Sequence, residues 1–229
     1  MSTLRRAAIV SPVRTAVGTF GGSLKAVPVE TLGAKVVRAV LERTGLDPAR
    51  IDDVVFAQSY ASGETPCVGR WIALEADLPI EVPGMQLDRR CGGGLQAVVT
   101  AAMMVQTGAA DAVLVVGVES MSNIEYYTTD VRWGSRAGSV TLHDRLQRGR
   151  ERSQPVERFG VISGMPQTAE NLAKEFGVSR LDADTFAVES HRRAAAAWRE
   201  GRFDAEVVPI RVPQRKGPDV VVARDEGIR

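Results

Sequence analysis

Cysteine and histidine are scarce here: 229 residues contain two of each. Cys67 and Cys91 cannot build a disulfide framework, so a reducing compartment, the cytoplasm, is the expected setting. Together with His143 and His191 they show no ligand-type spacing, and structural zinc usually needs four such ligands, so no metal is expected. No apolar run approaches the length that crosses a bilayer, so no membrane association is expected. The first ten residues carry a basic pair, Arg5-Arg6, but too short an apolar run for a signal peptide. A net charge of +1 argues against a dedicated nucleic-acid binder. Internal repeats and low-complexity tracts are also missing.

What remains is an ordinary globular balance, 44% apolar and 25% charged. The length suits one large domain or two modest ones with a real core. Ala7–Val10 reads as a short buried strand, followed by a Gly-containing loop, 11–22. Gly18, Gly21 and Gly22 do not fit G-x-G-x-x-G, and no helix starts directly after them, so a dinucleotide fingerprint is set aside. Val29–Thr44 has helical periodicity, with Gly45 placed to end it. A strand is predicted at Val54–Ala57 and a short helix at Cys67–Ala76. A long helix runs from about Leu95 to Gly108. Ala112–Gly117 is an uninterrupted apolar run, of the kind a parallel sheet buries on both faces. Alternating strands and helices predict a layered βαβ sheet.

The segment Met85–Ala97 carries the clearest chemistry. A short alternating stretch enters a polar turn, then Cys91, three glycines and the apolar helix. A cysteine at a helix start meets unpaired N–H groups and the positive end of the macrodipole. That setting favours the nucleophilic thiolate, and the glycines let a substrate approach the backbone. On placement alone, a buried structural thiol fits as well. Cys67 reads as a small buried or interface residue. His191 reads as a surface histidine on a helix, and His143 lies in irregular sequence.

From Ser122 to Arg158 the apolar periodicity fades and seven arginines accumulate. Such a stretch is usually functional or an interaction loop. The arginines suit a solvated face, an oligomer contact or an anionic ligand better than RNA. Helices return at Gln167–Phe176 and from Asp182 to about Trp198, and short strands at Val207–Val212 and Val220–Ala223. The last five residues, Asp225-Glu226-Gly227-Ile228-Arg229, have no strand, helix or tail character and read as an interruption.

Five motifs in order resemble the thiolases, the acetyl-CoA acetyltransferases and 3-ketoacyl-CoA thiolases. They are Arg14–Leu24, the nucleophile motif Cys91–Ala97, Gly117-Val118-Glu119-Ser120-Met121-Ser122, Gly164–Asn171 and Asp225–Arg229. Gly93 stands where serine is more frequent, and Gly164 where many biosynthetic members have histidine. The resemblance implies a layered αβαβα fold, here its N-terminal half (1–122) with nucleophile Cys91, and an inserted loop domain (123–229). It implies reversible Claisen condensation or thiolytic cleavage through an S-acyl Cys91. Coenzyme A is then a substrate rather than a cofactor, held near Val156, Gly164, Met165 and Arg229. A homo-oligomer, dimer or tetramer, is expected, with inter-dimer contacts around Ile124–Arg136. The family's base histidine and second cysteine belong to a C-terminal half, before which this chain is expected to stop. The chain alone is then expected to be inactive. The alternatives are a non-catalytic CoA-binding or assembly half-thiolase and a ketoacyl-synthase-type condensing enzyme.

Overall fold

The computed structural model describes residues 4–161 and 164–229. In chain order these form β1 (Arg14–Thr15), α1 (Val29–Thr44), β2 (Asp53–Ala57), α2 (Val68–Glu75), β3 (Gly84–Leu87), α3 (Gly93–Thr107) and β4 (Val113–Gly117). There follow β5 (Tyr126–Tyr127), β6 (His143–Asp144), α4 (Arg145–Glu151), α5 (Val156–Phe159), α6 (Met165–Phe176) and α7 (Arg180–Arg199). The short strands β7 (Val207–Val208), β8 (Ile210–Val212) and β9 (Val220–Val222) close the series. They fall into two compact units, one up to Asn123 with Phe203–Gly227, the other Ile124–Arg202 with Ile228–Arg229.

The first unit is built on a parallel sheet in the order β3-β2-β4. The central strand β2 supplies Val54, Val55 and Phe56, all with no solvent exposure. Val54 and Phe56 share a core with α1 and α2 residues, including Val37 and Ile72, while Val55 and Ala57 meet Ala97 of α3. Helices therefore cover both faces of the sheet, as buried parallel strands require. α1 ends as its sequence dictates: Gly45 takes φ 62°, and its N–H donates to the Leu41 carbonyl at 2.9 Å. Close packing fixes other glycines. A Cβ on Gly33 would lie 2.2 Å from Ile72 Cδ1, so α1 and α2 meet only because Gly33 has none.

Two expectations for this unit need correction. Ala7–Val10 is not a buried strand; the segment is exposed and pairs with nothing among the described residues. The first strand is instead Arg14–Thr15, which pairs in parallel with Val207–Val208 of β7. β4 is not buried on both faces either, because it is an edge strand with buried Leu114 and Val116 and an exposed Val115. Its apolar run looks central, but no strand adjoins its second edge among the described residues.

Phe203–Gly227 packs with the first unit, although it falls inside the predicted 123–229 segment. Ile210, Val212 and Val222 share a small core with Ala16, Val27 and Leu32, which ties this stretch to the loop before α1. The second unit contains the β5–β6 pair and α4 to α7. Among the described residues, none of its helices has a buried residue, and Phe176 and Phe186 are largely exposed. Among the described residues, no helix is long and apolar enough to cross a membrane.

Candidate active site

The C-terminal ends of three parallel strands deliver three loops to one edge of the sheet, where ligands bind in open α/β sheets. These are Gln58–Tyr60 after β2, Asp88–Gly92 after β3, and Val118–Asn123 after β4. Cys91 lies in the second, inside a single tight turn, Arg90–Gly92, that leads directly into α3. The thiol is exposed and free, so the reading of a buried structural cysteine falls.

The turn is held from several sides. Arg90 takes φ 48°, a left-handed conformation that costs energy for a residue with a Cβ and clusters at functional sites. Its N–H donates to Asp88 Oδ1 at 2.7 Å, and its guanidinium donates to the Ser59 carbonyl at 2.8 Å. The same guanidinium lies over the Tyr60 ring, 5.7 Å from its centroid. The Glu119 carboxylate accepts the N–H groups of Ser59 and Tyr60, at 2.9 and 3.3 Å. A strained arginine and an acceptor carboxylate thus brace the β2 loop against the cysteine turn.

Backbone N–H groups at the turn divide by use. Gly92 and Gly93 donate to the carbonyls of Arg89 and Arg90. Among the described residues, the Cys91 N–H makes no hydrogen bond. Gly93 faces Ala57, whose Cβ would lie 3.2 Å from a Cβ on it, so the helix start packs closely on β2. A Cβ on Gly94 would meet nothing within 4 Å, which leaves the approach over the turn open. Nearby in sequence, Gln58 is 5% exposed, and its Oε1 has no hydrogen-bond partner among the described residues.

Other motif residues act as struts. Ser122 Oγ accepts the Gly21 N–H at 2.9 Å, and Asn123 Nδ2 donates to the Val27 carbonyl at 3.4 Å. Asp225 and Glu226, which the sequence reads as an interruption, anchor the loop before α1. Arg14 donates to Asp225 at 2.8 Å and Glu206 at 2.7 Å. The Asp225 hydrogen bond is the main cause that raises the Arg14 pKa. Glu226 accepts hydrogen bonds from the Ser23 hydroxyl and the Thr19 and Ser23 N–H groups, which hold its pKa down at about 2. Opposite charges at positions 14 and 225 were the one sequence signal for this clamp, and their separation hid it.

Cys67 is exposed, not buried, and its thiol donates to the Gly84 carbonyl at 3.4 Å. It lies just before α2. Arg70 donates to the carbonyls of Val82 and Ile80, a local brace.

The residues expected near coenzyme A all lie in the second unit. Val156 opens α5 and is 47% exposed; Gly164 caps α6, and Met165, its first residue, is 71% exposed. The Arg229 N–H donates to His191 Nδ1 at 3.2 Å, so that nitrogen is already engaged. His143 packs against Tyr127, with ring centroids 5.7 Å apart. Two arginines of this unit hold local partners as well: Arg145 pairs with Glu125 at 2.7 Å, and Arg148 lies over Tyr127.

A sequence profile of the thiolase N-terminal domain matches residues 7–229. The chain belongs to the thiolase family. An acetyl-CoA acetyltransferase of Cupriavidus necator is 39% identical over 230 residues, 96% of this chain and 55% of the relative. A probable acetyl-CoA acyltransferase of Staphylococcus aureus is 36% identical over 99% of this chain and 56% of the relative. The crystal structure of the Bacillus anthracis acetyl-CoA acetyltransferase superposes with a TM-score of 0.90 at 33% identity, over 99% of this chain and 56% of that one. The chain thus has a thiolase-type fold and spans about half the length of the relatives it matches. Cys91, in its turn between β3 and α3, is the thiol this thiolase half presents at the sheet edge.

Proposed function

We propose that this chain supplies the nucleophile half of an acyl-CoA C-acyltransferase, a thiolase, with Cys91 as the residue that carries the acyl group. The single observation behind this is an exposed thiol at the start of α3 whose own N–H is unspent among the described residues. In the cleavage direction the Cys91 thiolate attacks the 3-keto carbon of a 3-ketoacyl-CoA. The keto oxygen gains charge, and the Cys91 N–H, at the positive end of the helix, stabilises it. The bond between carbons 2 and 3 then breaks. Its electron pair leaves with acetyl-CoA, which takes up a proton, and the acyl group stays on Cys91 as a thioester. The thiol of free CoA attacks that thioester, releases the shortened acyl-CoA and restores the cysteine. Dividing the transfer into two steps through a covalent intermediate lowers each barrier.

Coenzyme A enters as a substrate, and no separate cofactor is invoked. Met165 and Val156 offer apolar contact to its pantetheine arm, Gly164 leaves room beside them, and Arg229 suits its phosphates or adenine. The proton-transfer groups come from the part of the thiolase polypeptide outside this half, because His191 and His143 are engaged locally. A homo-oligomer is part of the proposal, with Trp133, 94% exposed, in the contact segment 124–136.

The direct test is thiolysis of acetoacetyl-CoA by this chain, alone and co-expressed with the unmatched C-terminal portion of the Cupriavidus necator relative. Activity that appears only in the combination and disappears in Cys91→Ala supports the reading. Full activity of the Cys91→Ala combination contradicts it. The strained, braced turn around an exposed thiol also favours catalysis over a purely structural half-thiolase, since a scaffold needs no such strain.

A further inference from the structure

The guanidinium of Arg90 is held on two sides and free on a third. It lies over the Tyr60 ring, with Cζ 5.7 Å from the centroid. Nη1 donates to the Ser59 carbonyl at 2.8 Å, and the carboxylate oxygen it pairs with, Asp88 Oδ2, is 3.5 Å from that same nitrogen. Nε and Nη2 donate to nothing among the described residues. These two nitrogens make the side-on edge of the fork, which takes both oxygens of a carboxylate at once.

That edge is fixed in place and faces solvent. An exposed arginine ordinarily samples many rotamers, and a surface ion pair is weakened by the cost of stopping that motion. Here the Ser59 carbonyl and the Tyr60 face have already stopped it, so an arriving anion meets a preorganised partner. The side chain is 56% exposed, which leaves the edge within reach. The backbone is committed as well, with Arg90 at φ 48° and its N–H on Asp88 Oδ1 at 2.7 Å. The neighbouring Arg89 is exposed, and its side chain makes no hydrogen bond or ion pair among the described residues. The turn thus sets two arginines against one aspartate.

Position selects the anion. Arg90 immediately precedes Cys91, and its side chain runs to the loop after β2. Consecutive Cα atoms stand about 3.8 Å apart, so a chain of a few carbons on Cys91 can span to the guanidinium. Coenzyme A also carries anions, but its pantetheine arm keeps the phosphates many bonds from the sulfur that reacts. A carboxylate at the far end of the acyl group itself meets neither obstacle.

We propose that Arg90 is a specificity-determining residue whose free Nε–Nη2 edge binds a carboxylate at the far end of the acyl group. The favoured substrates are then 3-ketoacyl-CoA thioesters of dicarboxylic acids. This rests on the reading that Cys91 carries the acyl group, and it names the class of acyl group carried.

The first test needs only this chain. One thiol reagent, 3-maleimidopropionate, carries a carboxylate a few bonds from its reacting carbon; N-ethylmaleimide is close in size and has none. Mass spectrometry reads the ratio of the two alkylation rates at Cys91, with the exposed Cys67 as internal reference. The ratio is expected to be roughly tenfold higher at Cys91 than at Cys67. It should fall to the Cys67 level in Arg90→Leu, with Arg90→Lys, which keeps the charge without the fork, in between. An equal ratio at both cysteines, or one that Arg90→Leu leaves high, overturns the assignment.

The second test uses this chain co-expressed with the unmatched C-terminal portion of the Cupriavidus necator relative. Thiolysis of 3-oxoadipyl-CoA is compared with that of 3-oxohexanoyl-CoA, which has the same acyl length and no carboxylate. The ratio of their kcat/KM values should favour the former by roughly tenfold or more, carried mainly by KM, and Arg90→Leu should collapse it. Thiolysis of both without preference overturns the carboxylate contact and leaves acyl transfer by Cys91 standing. No acyl group on Cys91 from either substrate overturns acyl transfer, and the substrate class with it. A reagent preference in the isolated chain that vanishes in the complex assigns the edge to a carboxylate of the added portion, and overturns the substrate class alone.

Discussion

Glu226 accepts the backbone N–H of Ser23 at 3.0 Å, across 203 positions of sequence. With a second contact to the Thr19 N–H at 2.8 Å, its carboxylate holds the Gly-containing loop before α1 in one shape. Together with Arg14–Asp225, it binds the stretch after β9 into the same unit as the cysteine turn.

The folded state keeps the Glu226 pKa at about 2, because the Ser23 hydroxyl and then backbone N–H groups favour the charged form. A group with a depressed folded pKa contributes stability above its unfolded value, near 4.5, and loses it as pH falls toward 2. Glu226→Gln is therefore predicted to be less stable than the wild type at pH 6, with a gap that narrows between pH 4.5 and 2. Urea unfolding at a series of pH values measures it; a gap that stays constant would contradict the clamp.

Gly22 sits inside that clamp. A Cβ there would lie 2.3 Å from Glu226 Oε2 and 2.5 Å from Thr19 Oγ1. Gly22→Ala is predicted to destabilise by about 1–3 kcal/mol. In the Gly22→Ala background, Glu226→Gln should cost less than it does alone, since neighbouring sites are not additive. A double-mutant cycle by urea unfolding reads the coupling, and strict additivity would count against it.

Gly33→Ala forces a Cβ into Ile72 at the contact of α1 and α2. Overpacking of this kind costs about 1–3 kcal/mol. Ile72→Val deletes the Cδ1 atom nearest the new Cβ, so the double variant should be more stable than the sum of the single losses implies. Thermal unfolding of all three proteins checks this.

Ile210 is 1% exposed in the small core it shares with Ala16 and Leu32. Ile210→Ala is expected to cost about 2–5 kcal/mol. Its effect should appear in the unit that carries Cys91, seen as faster amide exchange around Ala16 and Leu32. Exchange altered only within residues 124–202 would contradict the assignment of 203–227 to the first unit.

Local signals in the sequence were reliable where the chain terminates its own elements. Gly45 and Gly108 end α1 and α3 in left-handed conformations, and both helices were legible from periodicity and those glycines. Cys91 was legible too, as a thiol ahead of glycines and an apolar helix. What escaped was set by distant partners. Ala7–Val10 has the composition of a buried strand, but its burial depends on a neighbour no nearby residue supplies. Asp225 and Glu226 stand in a recognisable motif, yet nothing local shows that their partners are Arg14 and Ser23, 211 and 203 positions away. The strain at Arg90 follows from the Asp88 and Ser59 contacts together, and no local pattern announces it.

If Cys91 carries the acyl group, the mass of the protein after exposure to acetoacetyl-CoA must show it. The chain, completed by the C-terminal portion of its relative, is incubated with acetoacetyl-CoA, quenched in acid and digested. One acetyl group is expected on the peptide containing Cys91, absent in Cys91→Ala and unchanged in Cys67→Ala. An acetyl group on Cys67, or one that persists in Cys91→Ala, would contradict it.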